Sequence, residues 1–347
     1  MTSEPIIAGP GDAPLGTPVL TARLFNRVRR PSERIAGPLL AACALFSGAV
    51  VTLVIAYVFS YAFPLFARQG WEFVTTGDWD TAIDMAWEGP GVVFGALPLI
   101  AGTTLTTLGA LLVSGVLGLG CAIFLAELAP DHIRVPIETV VQLLAGIPSV
   151  VFGLVGMAVV VPALEYLVPA DSMDVVTEIP LEGASMLAGV IVLSFMILPF
   201  FVTVATDSLR AVPRSYVNGG MALGMHRWRA ITRIQVPSAA PGLLAGVVLS
   251  AARAIGEAIA LSMVAGSIAF LPSLEWGAKY FPFMPVRTMA SAIVETGGEA
   301  MSIPDIEAAL FGLAALLLLA SLSLSLMARW VVNWYGKRIS LASGRTL

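Results

Sequence analysis

Six stretches of mainly apolar residues constrain this chain more than any other feature of it. They run roughly over Ala36–Phe63, Ala96–Leu125, Ile137–Leu167, Met186–Ala205, Leu243–Phe270 and Ala308–Trp330. A helix needs about 20 such residues, at 1.5 Å each, to cross the hydrocarbon layer of a bilayer. Backbone polar groups in lipid must be bonded internally, so repeated runs of this length fold as spanning helices. Composition agrees: 57% of the residues are hydrophobic and 12% charged, with a mean hydropathy of +0.88. Soluble domains carry about 25% charged residues. A chain of 347 residues builds an ample core without such an apolar excess. These facts predict an all-α integral membrane protein with about six transmembrane helices. The third stretch is interrupted by Gly146-Ile147-Pro148-Ser149; the proline removes a backbone donor and breaks the helix, so that segment is expected to be buried in protein.

Basic residues then orient the spans. If the N-terminus is cytoplasmic and the spans alternate, the inner segments hold Arg23, Arg27, Arg29, Arg30, Arg34, Arg134, Arg210, Arg214, Arg227, Arg229, Arg233, Arg329, Lys337, Arg338 and Arg345. The outer segments hold only Arg68, Lys279 and Arg287, and Arg253 lies inside a span. Such an excess on one side is the positive-inside pattern, which predicts cytoplasmic N- and C-termini. Carboxylates such as Asp78, Asp80, Asp84, Glu88, Asp171, Asp174, Glu178 and Glu182 gather in the outer loops; acids contribute little to topology, and solvation of those loops accounts for them. Residues 1–22 include the Pro/Gly-rich Gly9-Pro10-Gly11-Asp12-Ala13-Pro14, expected to be disordered. Leu40-Ala41-Ala42-Cys43 matches a lipoprotein cleavage box, but the apolar run continues past the cysteine, so the segment reads as a retained first span.

Several chemistries find no motif here. Gly336-Lys337 is followed by arginine, not by the hydroxyl residue of a phosphate loop, and the chain has only His132 and His226. It therefore offers no ATP site of its own, no zinc helix and no nucleophile set, and Cys43 and Cys121 suggest neither a metal site nor a disulfide framework. No enzyme activity, no cofactor and no nucleic acid are expected. A transporter or channel subunit needs none of these, and draws its energy from a partner or an ion gradient.

Two positions carry information. The first is the basic segment between spans four and five, from Arg210 to Pro237. Ser215 is placed to cap a short helix after Pro213, Gly224 to supply a left-handed residue that ends it, and a second basic helix is expected to stop at Pro237. Two short helices at a turn make a knob for another protein to grip; from the residues alone, an ordinary membrane-surface loop fits equally well. The second is Arg253 and Glu257, four apart within Leu249–Ala260 and so on one face of a continuous helix, able to pair. A charge at mid-membrane costs about 2.5–3.5 kcal/mol at least and usually faces a pathway or a partner. Arginine suits bidentate binding of oxyanions, and a nearby glutamate would temper that affinity so that the anion leaves. The alternative is a structural ion pair that locks two helices.

The segment around Gly224 resembles the coupling motif of ABC-importer permeases, Glu-Ala-Ala, three residues, Gly, nine residues, Ile-x-Leu-Pro. Gly224, Ile234 and Pro237 keep the spacing, Val236 stands for leucine, and Asn218-Gly219-Gly220 replaces Glu-Ala-Ala. Arg253-Ala254-Ile255-Gly256-Glu257 resembles the Arg-Ala-Leu/Ile-Gly-Glu-Thr segment of phosphate-importer permeases, with Ala258 in place of threonine. Further matches are Leu143–Leu154, Glu127-Leu128-Ala129-Pro130, Met196-Ile197-Leu198-Pro199 and Pro285-Val286-Arg287-Thr288. Together they fit the PstC type of phosphate ABC transporter permease. The resemblance implies the type I ABC importer permease fold in a bacterial inner membrane, with the core over 93–335 and a coupling loop at 209–241. Residues 1–34 would be a basic tail, 35–92 the first span with an acidic outer loop, and 336–347 a cytoplasmic tail. It also implies a heterodimer with a PstA-type permease, a PstB-type ATPase dimer below, a PstS-type binding protein outside, and inorganic phosphate as cargo in a lipid membrane. On this reading Arg253, Glu257, Ser149 and Pro148 line the substrate pathway, the break at Pro148 aiming a helix N-terminus at the anion. Tyr216, Asn218, Gly219, Gly220, Leu223, Gly224, Met225 and His226 contact the ATPase. The same scaffold also suits another oxyanion or small solute, and the Asn218-Gly219-Gly220 departure suits a membrane scaffold or sensor that no longer transports.

Overall fold

The computed structural model describes residues 31–169, 171 and 181–342. Most of the expected disordered N-terminal tail (up to residue 30), outer-loop residues Asp174 and Glu178, and the last five residues lie outside this description. Two units are distinguished, Met1–Val54 and Ile55–Leu347. The described part of the first is the start of helix α1 (Pro31–Gln69), whose side chains from Gly37 to Val54 are all exposed, as suits a surface that lipid or another chain covers.

The regular structure of the second unit's described residues is helical, with one isolated parallel bridge between Gly266 and Val286. After α1 come α2 (Glu72–Thr75) and α3 (Asp80–Glu88), then α4 (Leu97–Ile123), prolonged by a π turn over Phe124–Leu128. The third predicted span is two helices, α5 (Asp131–Ala145) and α6 (Ser149–Val155), the latter continuing through a wide turn at Gly156–Val160 into α7 (Val161–Glu165). The axis bends by 97° at the break, where Pro148 holds extended backbone and Gly146 ends the first half. Next are α8 (Met186–Arg210), α9 (Arg214–Ala222) and α10 (Arg227–Ala230), which passes through a π turn at Ile231–Gln235 into α11 (Val236–Ile255). Helices α12 (Ile259–Val264), α13 (Met289–Thr296) and α14 (Pro304–Ala342) are the last α-helices among the described residues. Among the described residues, five helices are long and apolar enough to cross a membrane, or six if the bent pair is one span.

Small residues set the packing. Helices α4 and α8 lie closely together because Gly109 faces Val190; a Cβ at Gly109 would sit 2.7 Å from the valine. In lipid, such close backbone approach is what holds helices together. Below it, Leu193, Met196 and Ile197 of α8 pack with Ala110, Ala254 and Leu261. The segment after the first span is no loose acidic loop: Phe73, Trp79 and Phe94 are fully buried with Leu99, Ile306 and Leu310. Each of these aromatic side chains buries enough surface for up to about 4 kcal/mol. The acids decorate a folded cap.

Three expectations are corrected. The fifth span does not run from Leu243 to Phe270; its helix starts at Arg227 and ends at Ile255. The basic helix does not stop at Pro237, because the preceding π turn puts the Val236 N–H on the Ile231 carbonyl, and the missing proline donor falls where the ladder changes pitch. Ser215 caps nothing; α9 begins at Arg214, and Pro213 precedes it with no side-chain cap.

Candidate functional site

The segment predicted to couple is a helical hairpin with a defined turn. Gly224 has φ +85°, the left-handed conformation glycine adopts without penalty. Its N–H donates to the Met221 carbonyl at 2.9 Å, and the Met225 N–H donates to the Gly220 carbonyl at 3.1 Å. These two bonds are the Schellman end of a helix, so Gly224 acts as the sequence predicts. Gly220 is buried where α9 meets the following turn; a Cβ there would lie 2.5 Å from Ile234 Cδ1, whereas Gly219 faces open space. The Asn218-Gly219-Gly220 departure therefore places a small residue where crowding is real and an unneeded glycine where it is not. His226 begins α10, its Nδ1 accepting the Trp228 N–H at 3.4 Å. Tyr216, Asn218, Gly219, Leu223 and His226 are exposed, and Leu223 is 87% so. Beside them lies an open groove of about 560 Å³ lined by Tyr216, Val212, Pro213, Ile234 and Pro237.

A set of polar contacts that sequence reasoning missed fastens this hairpin. Gln235, only 2% exposed, donates to Glu127 Oε1 at 2.5 Å and to the Leu209 carbonyl at 3.1 Å. Arg227 donates to the Glu127 carbonyl at 2.6 Å. Arg210 donates to the Leu125 carbonyl at 3.1 Å and pairs with Glu138. The end of α4 is thus tied to both sides of the hairpin. The one signal in the sequence was Glu127 itself, an acid closing an apolar run before Ala129-Pro130.

The charged pair of the fifth span is arranged differently from the expectation. With α11 ending at Ile255, Glu257 does not share a helix face with Arg253, and the two form no ion pair. Glu257 is 8% exposed, and its Oε1 accepts the Ala260 N–H at 3.2 Å, closing the start of α12. The Arg253 guanidinium lies 4.5 Å from the centroid of the Phe200 ring on α8. Helix α12 packs on α6: a Cβ at Gly153 would be 3.1 Å from Ala260 Cα, and one at Gly156 would be 2.8 Å from Val264 Cγ1. These contacts advance together, so the two helices are parallel. Pro148 precedes and Ser149 opens α6, Glu257 closes the start of α12, and Arg253 lies on the α11–α8 contact.

A third cluster lies at the opposite end of the helices from the hairpin. Arg287, 17% exposed at its side chain, pairs with Asp80 and with Glu295, the latter at 2.9 Å, and donates to the Ser267 carbonyl. Ser267 Oγ donates to Glu295 at 2.6 Å. Desolvation holds the Glu295 carboxyl above its ordinary value, against the lowering effect of Ser267 and Arg287. No group of three metal-ligating side chains occurs among the described residues.

Comparison with known proteins accords with this architecture. The family model described as "Binding-protein-dependent transport system inner membrane component" matches residues 118–341. The chain is 34% identical to the "Probable ABC transporter permease protein YqgH" of Bacillus subtilis over 72% of this chain and 77% of that protein. It is 33% identical to the "Phosphate transport system permease protein PstC" of Mesorhizobium japonicum, over 63% and 69% of the two chains. With the protein of the same name from Haemophilus influenzae it shares 29% identity over 84% and 90%. The matched region takes in the broken third span, the hairpin and both charged positions of the fifth span, and the chain belongs to the family of binding-protein-dependent transport system inner membrane components, the non-catalytic, multi-pass permeases of ABC importers.

Proposed function

We propose that this chain is the PstC-type permease of an ATP-driven phosphate importer. It forms the translocation pathway with a PstA-type permease, rests on a PstB-type ATPase dimer, and receives phosphate from a PstS-type binding protein. Both termini and the hairpin around Gly224 face the cytoplasm, as the arginine distribution favours.

The observation that carries the reading is the unbroken helical rod from Arg227 to Ile255. It joins the hairpin directly to Arg253, 26 residues and so about 40 Å along the axis. A push on the exposed hairpin by a closing ATPase is transmitted along that rod to Arg253, near its far end. Arg253 supplies the charge and the donor geometry for an oxyanion. The Glu257 carboxylate, held at the start of α12, tempers that attraction. Motion of this kind gates access; no chemistry is done by the chain itself.

The test is inorganic phosphate uptake in a host lacking its own importer and supplied with the four-component system. The wild-type chain restores uptake, and Arg253→Gln abolishes most of it. Full uptake by Arg253→Gln would overturn the role given to this residue.

A further inference from the structure

Arg253 and Glu257 carry opposite charges four positions apart, and nothing in their spacing prevents them from neutralising each other. The structure shows two devices that keep them apart. The break at Gly256 turns Glu257 onto the Ala260 N–H at 3.2 Å. The Phe200 ring takes the guanidinium, 4.5 Å from its centroid. Phe200 follows Pro199 in α8, a helix whose neighbouring side chains Met196, Ile197 and Phe201 are buried and fixed, so the ring stands on a rigid support. An aromatic ring attracts the face of a guanidinium, while the five N–H donors point outward from its edge. A carboxylate partner would instead occupy that edge through the same bidentate geometry an oxyanion uses.

We infer that Phe200 is the positioning residue for Arg253: its ring holds the guanidinium by the face, away from Glu257, and leaves the donor edge open to the oxyanion. The inference rests on the proposed pathway role of Arg253. It accounts for how a span carries both charges of a potential ion pair and still keeps one ready for cargo. Without the ring, the arginine side chain swings back within reach of Glu257 and the anion must compete with a tethered carboxylate.

The experiment measures phosphate uptake against phosphate concentration in vesicles holding the complete transporter. Phe200→Leu, which keeps apolar bulk and loses the π face, raises KM about tenfold and leaves the maximal rate within about twofold. Phe200→Tyr and Phe200→Trp restore a KM near that of the wild type. KM does not depend on how much complex assembles; should Phe200→Leu assemble too poorly to be read, Phe200→Met serves in its place with the same expectation. An unchanged KM in the leucine variant, a fall in maximal rate alone, or equal damage from tyrosine and leucine overturns the inference. Arg253→Gln is run alongside. If it transports normally, the pathway reading fails and takes this inference with it; if it is inactive while Phe200→Leu keeps its KM, only the role of Phe200 falls.

Discussion

The tie between Glu127 and Gln235 gives the sharpest quantitative test of how the hairpin is attached to the spans. Gln235 is 2% exposed, and its amide sits 2.5 Å from Glu127 Oε1. A hydrogen bond to a charged group contributes about 1.5–3 kcal/mol, and burial of Gln235 leaves water little means to replace it. Arg227 also approaches the same carboxylate, but at 3.9 Å and with its side chain 57% exposed. Its good bond, at 2.6 Å, goes to the Glu127 backbone carbonyl, which survives any substitution of the side chain. An exposed ion pair of that length contributes about 0.5 kcal/mol or less. Two double-mutant cycles separate these terms, one on Glu127→Ala with Gln235→Ala, the other on Glu127→Ala with Arg227→Ala. Reversible unfolding in mixed detergent micelles gives the four stabilities of each cycle. The expected coupling is about 2 kcal/mol for Glu127–Gln235 and below about 0.5 kcal/mol for Glu127–Arg227. Equal couplings, or a Glu127–Gln235 value below about 0.5 kcal/mol, would refute the argument that burial of the amide makes this the principal tie.

Two further outcomes follow from the same structure. Gly219 lies mid-helix facing open space, while Gly224 has φ +85°, so Gly219→Ala stabilises α9 by about 0.5–1 kcal/mol and Gly224→Ala destabilises the hairpin by about 1–2 kcal/mol; unfolding midpoints of the two variants moving in the same direction would count against this geometry. Glu295 is held above its ordinary carboxyl value chiefly by desolvation, so its contribution is present at low pH and lost as pH rises through its folded-state value. The stability advantage of the wild type over Glu295→Gln therefore shrinks between pH 4.5 and 7.5; an advantage that grows over that range would show that the Arg287 pairing outweighs desolvation.

How much of this was legible in the sequence depended on the range of the forces involved. The spans were legible because hydropathy is a sum over about 20 residues, and the break in the third span because proline acts on its own backbone. The break at Gly256 was not. Arg253-Ala254-Ile255-Gly256-Glu257-Ala258-Ile259 reads as helix, with one glycine costing only about 1 kcal/mol. Packing decides it: α12 lies against Gly153 of α6 and Gly156 of the turn that follows, about a hundred residues earlier in the chain. Pro237 misled for the opposite reason. A proline in the line of a helix is normally a stop, but the π turn at Ile231–Gln235 absorbs its missing donor. The contacts that fasten the hairpin join Leu125 and Glu127 to Arg210 and Gln235, residues 85 and 108 positions apart, and no local pattern announces such pairs.

The corrected fifth span changes what the charged site is able to do. A continuous helix with Arg253 and Glu257 on one face would make a self-satisfied pair, with little left over to attract an anion and little reason to move. The observed break gives each charge a different neighbour on a different element: Arg253 goes with the α11 rod and α8, and Glu257 with the start of α12. On the proposed pathway and coupling roles, a displacement of the rod driven at the hairpin would shift Arg253 relative to Glu257, so attraction for an oxyanion would vary with the position of the rod. An importer needs this property, since its site must hold cargo when open to one side and release it to the other. The glycine that stops α11 is, on this argument, what lets one span both carry the coupling motion and change the charge that the cargo meets.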